Sequence, residues 1–333
     1  MTKAKVIGLG HYVPERVVTN FDLEKVMDTS DSWIRERTGI AERRYFDPEK
    51  DTVANMAAKA SRDAAEQAGI DISEIEFIVF ATITPDYFFP GSGVLLQREL
   101  GLEGIGALDI RNACSGFIYA LSIAEQYIKA NTYRTVLVIG AEIQSSALEM
   151  NDRGRGVSVI FADGAGAAIV QAEDNEQIEG ILSTHLHADG RFAEELYVKD
   201  PGSSRKHRLT KEMIDEVGIR AHMNGNMVFK HAVVKFQEVI NEALEANNLE
   251  IGDIDLLIPH QANLRISQFV QKQLGLGDDQ VFNNIMRYGN TTAASIPIAM
   301  SEAWQKAVLK PGDLLCIAAF GSGFTWASSL IKF

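Results

Sequence analysis

Several features typical of membrane, secreted or nucleic-acid-binding proteins are missing from this chain of 333 residues. No apolar run approaches the ~20 residues that a membrane-spanning helix needs. The first residues read as a strand, without the apolar segment of a signal peptide. Acidic residues outnumber basic ones by 45 to 32, so the positive charge that binds nucleic acid or anionic lipid is lacking. We therefore expect a cytoplasmic protein with neither kind of partner.

Cysteine is scarce as well, because the chain contains only Cys114 and Cys316. Two cysteines are too few for a disulfide framework and fit no zinc spacing, so we expect reduced thiols and no bound metal. The rest of the composition is balanced, with 46% hydrophobic and 23% charged residues. Such a composition is typical of a globular protein, and the length suits two units of ordinary domain size.

Two segments of the chain, 69–79 and 248–258, are alike in sequence, and the match places Ile75 on Ile254. Each follows a helical stretch rich in Ala and Glu (54–68 and 233–247), and each ends in an apolar strand. Because two matched helix–strand units lie so far apart in the chain, they indicate a duplicated α/β unit rather than a short solenoid repeat.

Further pairs of segments support the duplication. The offset that places Ile75 on Ile254 also aligns 107–125 with 286–304 and 135–141 with 314–320, and a shorter offset aligns 161–170 with 324–333. The first pair is predicted as strand, turn and helix, and the others as buried strands. We therefore predict two duplicated α/β halves, 1–172 and 173–333, with mostly parallel strands covered by helices. The polar stretch 185–223 is predicted as a loop with one helix over 211–221.

Three polar side chains follow predicted strands, where parallel sheets bind ligands. Cys114 lies in a strand-to-helix turn, and the helix N-terminus there is expected to lower the pKa of its thiol. His260 ends a strand after Pro259, and Asn290 lies in the turn of the second half that corresponds to the Cys114 turn. Cys316, in contrast, falls inside an apolar run and is expected to be buried and inert.

These residues belong to motifs that resemble the β-ketoacyl-[acyl-carrier-protein] synthase III family. The resemblance covers essentially the whole chain and is carried by residues 31–40, 113–117, 163–168, 259–266, 289–295 and 320–326. It implies a thiolase-type fold with a layered αβαβα core, and a homodimer. The implied reaction joins an acyl-CoA primer to malonyl-acyl-carrier protein with loss of carbon dioxide, and it requires no metal or redox cofactor.

The resemblance also implies roles for the three residues. Cys114 would form the acyl-enzyme, while His260 and Asn290 would donate to the malonyl thioester oxygen. The backbone N–H groups of Cys114 and Gly323 would form the oxyanion hole. A general-base role for His260 is the alternative. Related enzymes of secondary metabolism are a second possibility for the whole chain. A thiolase is disfavoured by the absence of a second cysteine in the turn 321–323, and a non-catalytic subunit by the presence of all three residues.

Substrate contacts are implied in the same way. Trp33 and Arg153 would sandwich the CoA adenine with Arg37 near the phosphates, although core packing of Trp33 and solvated arginines are the simpler alternative. Arg265 would dock the acidic carrier protein. A bulky Phe89 would close the acyl pocket across the homodimer interface, which suggests a short primer such as acetyl. Two departures from the family pattern are Ser322 in place of a glycine and a long stretch over 199–224.

Overall fold

The computed structural model describes residues 2–175, 177, 179–215 and 218–333. The strands in this part of the chain are β1 Lys3–Tyr12, β2 Arg16–Thr19, β3 Glu42–Tyr45, β4 Phe77–Ala81, β5 Gly106–Ile110, β6 Thr135–Glu142, β7 Gly164–Glu173, β8 Ile181–Ala188, β9 Leu196–Val198, β10 Ala221–Met223, β11 Leu256–Pro259, β12 Leu314–Gly321 and β13 Thr325–Lys332.

The helices are α1 Asn20–Leu23, α2 Asp31–Thr38, α3 Val53–Ala68, α4 Ser92–Leu100, α5 Gly116–Lys129, α6 Arg155–Ser158, α7 Lys211–Asp215, α8 Gly225–Ala246, α9 Leu264–Leu274, α10 Ile285–Tyr288 and α11 Ser295–Gln305. Short 3-10 turns lie at Ile72–Glu74, Ala113–Ser115, Ser145–Ala147, Gly190–Glu195, Ile251–Asp253, Asp278–Gln280 and Thr292–Ala294.

Two sheets form the core. The first has the strand order β1-β7-β6-β4-β5 and the second has the order β11-β12-β13-β8. Helices α5 and α11 pack between the sheets in one apolar cluster that both sheets share. The outer face of the first sheet packs on α3 and α4, and that of the second packs on α8 and α9. The predicted layered order αβαβα is therefore confirmed.

The expectation of mostly parallel strands is wrong. Strand β4 pairs in parallel with β5 and β6, and β11 pairs in parallel with β12. All other pairings in the two sheets are antiparallel. The reason lies in the connections: β13, for example, follows β12 after the short turn 322–324, which reverses the chain, whereas a parallel neighbour needs a longer crossover.

The described residues of the second half include no counterpart of β5, and Ile285–Tyr288 forms helix α10, so the strand predicted at the start of 286–304 is also wrong. Only Val281 forms a parallel bridge, to Leu257, before the chain enters helix α10. The side chain of Gln261 accepts the N–H groups of Asn284 and Ile285 at 2.9 and 3.1 Å. These hydrogen bonds satisfy the first donors of a helical turn and thereby favour the helix over a strand.

The stretch 185–223 contains more structure than the sequence predicts. It begins inside β8, and β9 pairs with β10 as an antiparallel ladder that brackets the residues between them. The helix predicted over 211–221 is shorter, because α7 ends at Asp215 and Ala221 already belongs to β10. Residues 216 and 217 lie outside the described part of the chain.

Candidate active site

Cys114 lies in the turn between β5 and α5, two residues before the first residue of the helix. The preceding residue, Ala113, has a φ of 46°, a left-handed conformation that non-glycine residues rarely adopt. The thiol is buried, with 5% of the residue exposed. Gly321 packs directly against it, since a Cβ at position 321 would lie 2.5 Å from the Cys114 Cβ. The end of β12 in the second half therefore forms one wall around the nucleophile candidate.

The pKa of the Cys114 thiol does not follow the sequence expectation. Burial, with a smaller contribution from the charge of Glu142, raises this pKa to about 12. The backbone N–H groups of Ser322 and of Cys114 itself act in the opposite direction by donating to the sulfur. The thiol is therefore protonated in the unliganded site, and the helix N-terminus does not by itself produce a thiolate. Burial raises the pKa of Cys316 to about 12 as well, as expected for a residue inside β12.

His260 follows β11 and is held in place on two sides. Its backbone N–H donates to the Ala318 carbonyl of β12 at 2.7 Å, and its Nδ1 lies 2.6 Å from the Ser295 hydroxyl. Its Nε2 is buried and has no hydrogen-bond partner among the described residues, so this atom can hydrogen-bond a substrate. Burial lowers the pKa of His260 to about 3, and the imidazole is therefore neutral at physiological pH.

Asn290 forms a parallel β-bridge with Phe161. Its N–H donates to the Ile160 carbonyl and its carbonyl accepts the N–H of Ala162, both at 2.9 Å. Its side-chain Oδ1 accepts the N–H of Thr292 at 2.8 Å. The same turn packs on the nucleophile's helix, because a Cβ at Gly116 would lie 3.5 Å from the Ala293 Cβ. The turns that carry Cys114 and Asn290 therefore meet where the two halves join.

Three further residues at this junction were not singled out by the sequence. Glu142, at the end of β6, is fully buried and accepts hydrogen bonds from the hydroxyls of Thr82 and Thr84 and from the N–H of Ala293. Burial raises the pKa of Glu142 to about 7. Ser295 contacts His260, and Gln261 caps α10 as described above. For Ser295, the duplication was a usable signal, since it follows shortly after Asn290 in the turn matched to Cys114.

The residues expected to bind CoA are only partly brought together. The Arg37 guanidinium lies over the Trp33 ring at 4.5 Å, and that of Arg155 lies over the same ring at 5.0 Å. Arg153 instead forms an ion pair with Glu149, and this pairing lowers the pKa of the Glu149 carboxyl. Arg155 is therefore the neighbour of Trp33 that the sequence missed, and a role for Arg153 at the adenine stays a prediction.

Arg265 is exposed at the start of α9, and its guanidinium lies 5.9 Å from the Phe229 ring centre. Helix α9 is joined to α2, since the Asn263 side chain donates to the Arg37 carbonyl at 2.9 Å. The predicted docking residue and the predicted CoA-binding residues thus lie on neighbouring elements. His260 lies just before α9 in the chain, so α9 and its neighbour α2 both lie close to the buried site.

Phe89 does not line a pocket within this chain, because 77% of the residue is exposed. It belongs to an aromatic loop, here the residues Tyr87 to Phe89, whose members are all exposed. The Arg208 guanidinium lies 3.4 Å from the centre of the Phe88 ring, so the long stretch 199–224 contacts this loop. The predicted closure of an acyl pocket by Phe89 requires a second subunit and stays a prediction.

Two family models match the chain. One, described as 3-oxoacyl-[acyl-carrier-protein (ACP)] synthase III, matches residues 108–190, and its C-terminal counterpart matches residues 244–333. A β-ketoacyl-[acyl-carrier-protein] synthase III of Alkalilimnicola ehrlichii is 45% identical over 335 aligned residues and 100% of both chains. The chain belongs to the β-ketoacyl-[acyl-carrier-protein] synthase III family.

Other members of the synthase III family agree with this assignment. The synthase III of Caldanaerobacter subterraneus is 44% identical over 99% of this chain and 97% of its own. The crystal structure of the synthase III from Aquifex aeolicus superposes with a TM-score of 0.90 at 41% identity and covers all of both chains. The resemblance read from the sequence and its thiolase-type fold are therefore confirmed, and the chain is an acyltransferase of the condensing type. In the described residues no helix is both long and apolar enough to span a bilayer.

Proposed function

We propose that the chain joins an acyl-CoA primer to malonyl-acyl-carrier protein, releases carbon dioxide and forms a 3-oxoacyl-acyl-carrier protein that starts fatty-acid synthesis. The observation that carries this proposal is that the buried turns of Cys114 and Asn290 pack together, while the buried His260 contacts Ser295 directly after the Asn290 turn. Among the described residues, Nε2 of His260 has no hydrogen-bond partner, so it can contact a substrate. Full-length relatives named as synthase III favour this reaction over the secondary-metabolite alternative.

In the first half-reaction, the Cys114 sulfur attacks the acyl-CoA carbonyl, the bond to the CoA sulfur breaks, and the thiol proton leaves with CoA. Because the resting thiol is protonated, attack and proton loss are coupled to substrate binding. The Ser322 and Cys114 N–H groups that donate to the sulfur stabilise its developing negative charge. In the acyl-enzyme, we assign the backbone N–H groups of Cys114 and Gly323 to the acyl oxygen.

In the second half-reaction, loss of carbon dioxide from the malonyl group leaves an enolate that attacks the acyl-Cys114 carbonyl. The bond between the acyl carbon and the Cys114 sulfur then breaks, and the released thiolate takes up a proton from solvent to restore the thiol. We assign His260 and Asn290 as donors to the enolate oxygen. The Ser295 hydroxyl accepts the N–H of Gln261 at 3.3 Å, so its own hydrogen can go to Nδ1 of His260. That arrangement places the imidazole proton on Nε2, where a donor is needed. No step requires a metal or redox cofactor.

Trp33 with Arg37 and Arg155 is the proposed CoA site, with Arg153 as the predicted further contact, and Arg265 is the proposed carrier-protein contact. A homodimer is supported by the exposed aromatic loop and by β5, an edge strand that exposes Leu108. In that dimer Phe89 would reach the partner's acyl pocket and favour a short primer. We place the enzyme in the cytoplasm, where its acyl-CoA and carrier-protein substrates occur. Sedimentation of the purified protein tests the dimer, which a monomer at micromolar concentration would contradict.

The reaction is tested by intact-mass measurement after incubation with an equimolar mixture of short, branched and long acyl-CoAs. We expect one short acyl group on the protein, located at Cys114 by peptide mapping. Adding malonyl-acyl-carrier protein should remove the group and yield the matching 3-oxoacyl product and carbon dioxide. A chain that takes no acyl group would contradict the proposal. Transfer of a long or aromatic group would favour the secondary-metabolite alternative.

A further inference from the structure

The turn 322–324 between β12 and β13 carries two side chains, Ser322 and Phe324, and Ser322 lies between Gly321 and Gly323. Gly321 has no room for a Cβ because Cys114 lies against it, and Gly323 has a φ of 136° that favours glycine. Both glycines are thus explained by space or backbone conformation. Neither limited space nor backbone conformation explains why position 322 is a serine.

Each polar group of Ser322 has a partner. Its backbone N–H donates to the Cys114 sulfur. Its carbonyl accepts from the Thr325 hydroxyl at 3.1 Å, and its own hydroxyl donates to the Leu196 carbonyl in a short hydrogen bond. The residue therefore connects the nucleophile candidate with a segment that is distant in the chain.

Leu196 is a fixed anchor for that hydroxyl. It is the first residue of β9, pairs with Met223 of β10, and packs against the buried apolar cluster of the second half, which includes Phe320 and Phe324. Phe320 lies in β12 and Phe324 is the last residue of the turn, with ring centres 4.8 Å apart. The Ser322 hydroxyl thus connects the residue between the two glycines to a packed part of the second half.

We propose that Ser322 is a positioning residue whose side chain, bound to the Leu196 carbonyl, keeps its backbone N–H directed at the Cys114 sulfur. The proposal rests on the proposed role of Cys114 as nucleophile. Without the hydroxyl, Ser322 itself keeps only its backbone contacts and the Thr325 hydrogen bond, while Phe324 stays buried, and the glycine on each side of Ser322 allows that residue to move. The N–H would then donate to the sulfur for a smaller part of the time, and the thiolate would be less stabilised.

The test compares Ser322→Ala with Ser328→Ala. Ser328 is a matched control because it is buried in the adjoining strand and its hydroxyl also donates to one backbone carbonyl, that of Val239, at 2.7 Å. Iodoacetamide alkylation of Cys114 is followed by peptide mass from pH 7 to 10. We expect Ser322→Ala to move the rate profile to higher pH and to slow alkylation by about threefold to tenfold, the effect of weakening one hydrogen bond. Ser328→Ala should keep the wild-type alkylation profile while lowering the melting temperature about as much as Ser322→Ala does.

An unchanged or faster alkylation profile in Ser322→Ala, or an equal shift in Ser328→Ala, would overturn the proposal. Ser322→Gly removes the same hydroxyl without a methyl group and serves as a second variant if the alanine protein does not fold. Alkylation needs no acyl substrate, so failure here would leave the proposed condensation intact. Conversely, a wild-type protein that alkylates normally but accepts no acyl group would refute the function and not the role of Ser322.

Discussion

The two halves of the molecule repeat each other in backbone detail. Ala113 and Thr292, which occupy matching positions of the duplication, both open a 3-10 turn in the left-handed conformation, with φ of 46° and 51°. Gly69 and Asn248, a second matched pair, follow α3 and α8 with φ of 69° and 55°. Unusual backbone angles at matching positions show that the duplication preserved turn geometry and not only the order of elements.

The halves differ in the side chains at their strand ends. At the end of β6 the first half carries the buried carboxyl of Glu142, while the matching position at the end of β12 is Gly321, which leaves space for Cys114. Likewise, Ala293 occupies the position that matches Cys114. The shared scaffold thus carries the thiol of Cys114 in one half and the side chains of His260 and Asn290 in the other. This comparison predicts that side-chain changes at the junction alter chemistry far more than they alter folding.

The largest expected effect separates the two cysteines. Cys114→Ala should abolish acyl-enzyme formation because it removes the proposed nucleophile, with little change in melting temperature. Cys316→Ala should retain acylation and lose about 1 kcal/mol of unfolding free energy, a typical cost for a core substitution. Acylation is measured by intact mass and stability by denaturant titration. Acylation that survives in Cys114→Ala would place the nucleophile elsewhere.

The next effect divides the two half-reactions. If His260 and Asn290 serve the enolate, His260→Ala and Asn290→Ala should still accept an acyl group on Cys114. Each should lose malonyl decarboxylation by on the order of 10²–10³, the effect of removing one oxyanion-type donor. Acyl transfer and release of labelled carbon dioxide are assayed separately. A His260→Ala protein that decarboxylates but cannot be acylated would instead support the general-base alternative.

The duplication explains why much of this arrangement could be predicted from the sequence. Apolar runs and helical stretches repeat at a fixed offset, so the layers and the positions of Cys114 and Asn290 follow from local pattern. The antiparallel pairings could not be predicted because they depend on the lengths of the connections between strands. Helix α10 could not be predicted because it depends on the side chain of Gln261, which lies 23 residues before Asn284 in the chain. The pKa of Cys114 was misjudged because helix position is local, whereas burial and the charge of Glu142 arise from tertiary packing.

A smaller effect concerns Glu142. Its pKa of about 7 exceeds the ordinary value of 4.5, so the folded state binds a proton that the unfolded state has lost between these pH values. The unfolding free energy should therefore fall as pH rises from about 4.5 to 7. Glu142→Gln, which mimics the protonated form, should remove that part of the pH dependence even if lost hydrogen bonds lower its stability overall.

The same variant tests the link to the nucleophile. The Glu142 charge raises the pKa of Cys114, so Glu142→Gln should speed iodoacetamide alkylation of Cys114 severalfold above pH 7, where the wild-type carboxyl is ionised. Stability is followed by urea titration from pH 4.5 to 8, and wild type is compared with the variant at each pH. Parallel stability curves, with no change in alkylation, would mean that Glu142 is ionised throughout and does not influence the thiol.

The smallest expected effect lies at the rim, away from the junction of the halves. Arg265→Glu should raise the KM for malonyl-acyl-carrier protein several-fold without changing acylation of Cys114 by acyl-CoA, because an exposed charge mainly steers the encounter with an acidic partner. The increase should shrink as salt is added, since screening already weakens the wild-type attraction.

Arg62→Glu is the control: Arg62 is an exposed arginine on α3 whose guanidinium donates to the Glu99 carbonyl, and the same change in net charge there should leave KM unaltered. If Arg265→Glu loses both half-reactions equally, α9 supports His260 structurally. If Arg265→Glu and Arg62→Glu raise KM equally, the overall charge of the protein, and not a docking site, attracts the carrier protein.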